Sequence, residues 1–146
     1  MPILFQNYLT FENIYLWVNF GVIPFWMMLI LVPNSKITLI LINSIILPLI
    51  FAGLYIYVLY QAIFLGGSVL DIFNLYLNLE NLYTIFATES FLLIFWLHFT
   101  AINLFLGSWA SRDAIKYNMS RRLMFLPLIL IYFSGPVGIV LHWLLR

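Results

Sequence analysis

Two histidines are the side chains best suited to acid/base work near neutral pH, and both fall in apolar stretches: His98 and His142. An ionisable side chain within a membrane-spanning segment is costly and marks a functional position by default. Its structural alternative is a hydrogen bond to a backbone carbonyl that has lost its helical partner. Prolines create such carbonyls, because proline has no N–H to give four residues back. Pro24, Pro48 and Pro136 would free the carbonyls of Phe20, Ser44 and Tyr132. Asn103, five residues beyond His98, is either a substrate contact or a hydrogen-bonding tie between helices. The two are about 140° apart on a helix and cannot share one stripe. His98, Phe105, Trp109 and Arg112 do share one, and Asn103, Ala110 and Ala114 share another. No Walker loop, no G-x-S-x-G, no G-x-G-x-x-G and no H-E-x-x-H occurs. Cysteine is absent, which excludes disulfides, thiolate metal sites and a cysteine nucleophile. No cofactor and no metal are expected.

The elements that must carry these residues are membrane helices. Of 146 residues, 65% are hydrophobic and only 8% charged, against about 25% charged in soluble domains. Eleven charges cannot cover a soluble surface of this size. A soluble domain, a disordered chain and a basic-patch nucleic-acid binder are excluded. The charges bound four uncharged windows of 23, 34, 22 and 23 residues. Each is long enough for a helix across about 30 Å of hydrocarbon. The fold class expected is therefore all-α and integral to the membrane, with four transmembrane helices over about 13–32, 37–60, 90–111 and 123–145. These form two antiparallel hairpins within one domain, residues 1–146. The second helix ends at Gly66-Gly67, with Tyr55, Tyr57 and Tyr60 in an interfacial belt. Leu79, Leu82, Tyr83 and Phe86 recur at helical spacing and predict a short interfacial helix over about 78–87. Thr88 is a candidate N-cap for the third span.

Lys36, Arg112, Lys116, Arg121 and Arg122 cluster in the turns on one side. By the positive-inside rule those turns face the cytoplasm or stroma, and both termini and the loop bearing Asp71, Glu80 and Glu89 face the other way. Anionic headgroups are a second use of the basic cluster. The N-terminal stretch lacks a basic region of the signal-peptide kind, so the first helix is expected to remain. The setting expected is a bacterial inner membrane or a plastid membrane.

The ordered set Trp96-x-His98-Phe99, Asn103-Leu-Phe105-x-Gly107-x-Trp109, Arg112-Asp113-Ala114 and Gly135-Pro136-Val137-Gly138 through His142 resembles the ABA DEFICIENT four-like family of small membrane proteins. Ile23-Pro24-Phe25-Trp26 and Pro33 extend the resemblance towards the start. One departure is Asn103, where members usually carry Asp. The plant members are needed to make neoxanthin from violaxanthin, so the resemblance implies a multi-pass protein of xanthophyll metabolism. Converting the epoxide to an allenic alcohol is an isomerisation. An acid protonates the epoxide oxygen, a base removes a vinylic proton, and no redox cofactor is consumed. If the chain is an enzyme, this cofactor-independent isomerisation is its reaction. His98 would shuttle the proton, His142 would be the second group on the same membrane face, and Glu89 an acid at that edge. Substrate contacts would come from Asn103, Phe105, Trp109, Arg112, Asp113, Tyr132, Gly135 and Pro136. Arg112 and Asp113 could instead hold a ring hydroxyl at the cytoplasmic end. A non-catalytic carotenoid-binding or pigment-complex assembly subunit is the alternative. The partners expected are a lipophilic isoprenoid, membrane lipids, and a membrane protein or a second copy, with no nucleic acid.

Overall fold

The computed structural model describes residues 9–42, 44, 46–64 and 73–146. Asp71 and the Gly66-Gly67 break lie outside the described residues. Those described form seven helices and no strand. We number them α1 (Phe11–Leu31), α2 (Lys36–Leu41), α3 (Ile46–Phe64), α4 (Leu79–Phe86), α5 (Glu89–Lys116), α6 (Arg121–Ser134) and α7 (Pro136–Leu145). Three helical segments are long and apolar enough to cross a membrane: Phe11–Leu31, Lys36–Phe64 and Glu89–Lys116.

Thr10 caps α1, its side chain accepting from the Asn13 N–H at 3.3 Å. Ile14, Val18, Val22, Trp26 and Leu29 recur at three- and four-residue spacing and are the buried residues of α1. They lie on one stripe. The turn to α2 is locked by fully buried Thr38. Its hydroxyl donates to the Val32 carbonyl at 2.8 Å, and its N–H is capped by Ser35 Oγ at 3.1 Å.

The stretch expected as one helix over 37–60 is divided around Ser44, and its second part runs on to Phe64. The Ser44 hydroxyl turns back onto the Ile40 carbonyl. Pro48 then falls in the first turn of α3, where an amide N–H would have no helical partner and its loss costs nothing. The Ser44 carbonyl, expected to be freed by Pro48 within one helix, thus lies between α2 and α3.

α4 rests on α5 through buried Ile85, while Leu79 and Tyr83 are each 79% exposed. Thr88 occupies the N-cap position of α5 but does not cap it. Its hydroxyl donates back to the Ile85 carbonyl at 2.7 Å, which ties α4 to α5 instead.

α5 is the hub against which α1, α3, α4, α6 and α7 all pack. α1 runs parallel to it: Tyr15 meets Trp96, and a side chain at Gly107 would strike the Trp26 ring. α3 runs antiparallel, with Tyr55 beside His98 and Leu47 near the other end of the shared surface.

The fourth crossing expected over 123–145 does not form. α6 and α7 are separate helices of 14 and 10 residues that pack on each other. At 1.5 Å per residue they are about 21 Å and 15 Å long, too short to span hydrocarbon. Gly135 adopts φ +57°, a conformation that disfavours any residue with a Cβ. Pro136 follows at the first position of α7, where its fixed φ suits a helix start. The chain therefore turns back on itself. At Gly138 a Cβ would strike the Ile131 nitrogen and lie 2.7 Å from the Pro127 carbonyl oxygen. Only a glycine lets the two backbones approach so closely. The hairpin tip lies at Asn103, the midpoint of α5, and Arg146 ends beside Tyr117. The C-terminus is consequently at the same end of the bundle as Arg112 to Arg122, not opposite as expected.

Candidate functional site

α5 presents two working faces. The face towards α6 and α7 is closed. Asn103 is 4% exposed, and its amide Nδ2 donates to the Tyr132 carbonyl at 3.3 Å. That is the carbonyl Pro136 leaves without a helical donor. An amide can supply this hydrogen; a carboxylate can do so only when protonated. Asn103 is thereby a tie between helices, the structural one of its two sequence readings. Tyr132 also stands edge-on to Trp26, with ring centroids 5.4 Å apart. Gly135 is buried at the tip and Pro136 is exposed.

Further along the same face, His142 is fully buried. Its Nε2 lies 3.0 Å from an Asp113 carboxylate oxygen. The same oxygen is 3.3 Å from the Arg146 guanidinium, which also donates to the Tyr117 hydroxyl at 2.7 Å and stacks 4.0 Å from that ring's centroid. Trp109 closes over the His142 ring edge-on at 5.7 Å. With Nε2 directed at Asp113, His142 Nδ1 is buried without a hydrogen-bond partner among the described residues. Sequence reasoning overlooked Arg146 and Tyr117. Arg146 stands four residues after His142, on the same helical face, and a re-entrant hairpin would have placed both at Asp113.

The face towards α3 is open. A groove of about 410 Å³ runs between α3 and α5. Its walls are apolar, from Leu47, Phe51 and Ala52 on one side and Ala101, Leu104 and Phe105 on the other. His98 stands at one end beside Tyr55, their ring centroids 6.4 Å apart. Arg112, Ser108 and Ser44 stand at the other. His98 and Arg112 are fourteen residues apart on α5, about 21 Å. Tyr55 was expected as a belt residue only; its part in the groove follows from the α3–α5 pairing, which single-chain periodicity does not reveal.

The structure thus separates residues expected to act together. His142 is beside Asp113 at the basic end of the bundle, not on the membrane face that His98 approaches. Glu89 is exposed in the first turn of α5, nine residues before His98. Trp109 leaves the His98 stripe for His142, while Phe105 and Arg112 stay with His98. Among the described residues no acid lines the groove and no group of three or more potential metal ligands occurs.

Compared with known families, residues 13–142 match the family described as ABA DEFICIENT 4-like. No curated protein matches the chain. No solved structure matches it.

Proposed function

Since the chain belongs to the ABA DEFICIENT 4-like family, we propose that it serves xanthophyll metabolism in the membrane and that the α3–α5 groove takes the isoprenoid. Its family and its apolar helices support a carotenoid-related role in a membrane. The observation that carries the site is the pairing of His98 with Tyr55 in a slot that is otherwise apolar. A long polyene needs such a wall, and its oxygenated ring needs the few polar groups at an end.

The chemistry that fits is isomerisation of an epoxy-carotenoid. The epoxide C–O bond breaks as its oxygen gains a proton. A vinylic C–H bond loses one, and the electron pair left behind completes the allene. Atoms and electrons balance without a redox partner. His98 is the group able to accept or donate a proton near neutral pH, and the Tyr55 hydroxyl is a donor within the same end of the groove. His142 has no part in this step.

That no acid lines the groove among the described residues favours a second reading, a non-catalytic carotenoid-binding subunit. One experiment separates them. Purified protein in lipid nanodiscs is incubated with violaxanthin and the pigments are analysed. Conversion to neoxanthin, lost in His98→Ala while pigment binding persists, supports the enzyme. Pigment bound but unchanged supports the binding subunit. Neither binding nor conversion overturns both.

A further inference from the structure

Among the described residues, Arg112 is the one charged side chain lining the groove, and it belongs to neither ion pair. The adjacent acid, Asp113, points to the opposite face of α5, where His142 and Arg146 occupy it. Neither ion pair among the described residues includes Arg112. Lys116 follows four residues on, one helical turn further out on the same side of α5. From Arg112 inwards the groove is lined by hydroxyls, Ser44 and Ser108, and then by hydrocarbon. A cationic fork at the basic end of a lengthwise apolar slot is complementary to an anionic amphiphile with its head at that end and its chain within. Guanidinium binds phosphate through two parallel hydrogen bonds, more strongly than a neutral donor can. Basic pockets between helices on the cytoplasmic side are suited to anionic headgroups.

We infer that the α3–α5 groove is a specific anionic-phospholipid site, with the headgroup phosphate on Arg112 and one acyl chain lying along the slot towards His98. This goes beyond the xanthophyll reading and does not depend on any turnover. The lipid would occupy the groove whenever the isoprenoid does not, and so keep its apolar wall covered.

Native mass spectrometry of the full chain, released from nanodiscs of equal phosphatidylglycerol and phosphatidylcholine, tests the site. One phosphatidylglycerol should survive release from each wild-type chain in preference to phosphatidylcholine. Arg112→Gln should lower that retention about tenfold, the loss expected for one charge-assisted phosphate contact. Arg122→Gln, at an exposed cation in the first turn of α6, should leave it within about twofold. Ala52→Phe, which narrows the slot without touching charge, should also lower retention. Equal retention of the two lipids overturns the site. Equal losses in Arg112→Gln and Arg122→Gln overturn it too, since they show diffuse attraction to the basic end. No violaxanthin is present, so failure here leaves the xanthophyll reading standing, and the converse holds.

Discussion

On the α6–α7 side of α5, the Asn103 amide is committed to the Tyr132 carbonyl, and Asp113 is held between His142 and Arg146. On the α3 side, His98 stands beside Tyr55 and Arg112 with Ser44 and Ser108 in an open slot, and neither is in an ion pair among the described residues. The same helix thus carries polar groups spent on architecture and polar groups still free to meet a ligand. In lipid the first kind is needed wherever backbone departs from a helix, because no water is present to satisfy it. The tip at Gly135 is such a place, and Asn103 answers it. Among the described residues, the backbone beside His98 is the regular helix that carries Tyr55, which asks for no side-chain donor there.

The largest expected effects concern the hairpin. Cysteine is absent from the chain, so single cysteines can be labelled cleanly in sealed vesicles. Ser120→Cys and Arg146→Cys should react from one side and Thr88→Cys from the other. A fourth crossing would put Arg146→Cys with Thr88→Cys, and the comparison would lose its first term. Gly138→Ala places a methyl against the Ile131 nitrogen and the Pro127 carbonyl. It should cost about 3 kcal/mol or more, from overpacking against backbone that cannot yield, read as a lowered thermal midpoint in detergent. Asn103→Leu should cost about 1–3 kcal/mol, the penalty for a buried carbonyl left unpaired. Asn103→Asp should recover stability as pH falls, because only the protonated acid can donate to Tyr132. At the small end, His98→Ala should move the midpoint by less than about 0.5 kcal/mol, as expected for an exposed side chain whose ring contact is with Tyr55 alone among the described residues.

Much of this was legible in the sequence. Composition and window lengths pointed to apolar helices, and the Pro136 argument named the Tyr132 carbonyl as the one needing a donor. The face shared by Asn103, Ala110 and Ala114 is indeed the buried one. The hairpin was hidden for a physical reason. Residues 123–145 are as apolar as a true span, because a re-entrant helix pair meets the same solvent. The turn rests on Gly135-Pro136 and on Gly138, and glycine and proline are also common in helices that do cross. Reading 123–145 as one continuous span placed His142 at the wrong end of the bundle, and with it the partnership of His98 and His142. Tyr55 and the groove needed the register between α3 and α5, which no single-helix periodicity contains.

The division between the two faces is tested most directly by measuring stability and violaxanthin conversion together in His98→Ala and His142→Ala. The account predicts opposite signatures. His98→Ala keeps its thermal midpoint and loses conversion. His142→Ala loses about 2–3 kcal/mol, through a buried cavity and an Asp113 deprived of a partner, while the fraction that stays folded converts at the wild-type rate. Conversion retained in His98→Ala and lost in folded His142→Ala would contradict it, and would move the working site to the face assigned to architecture.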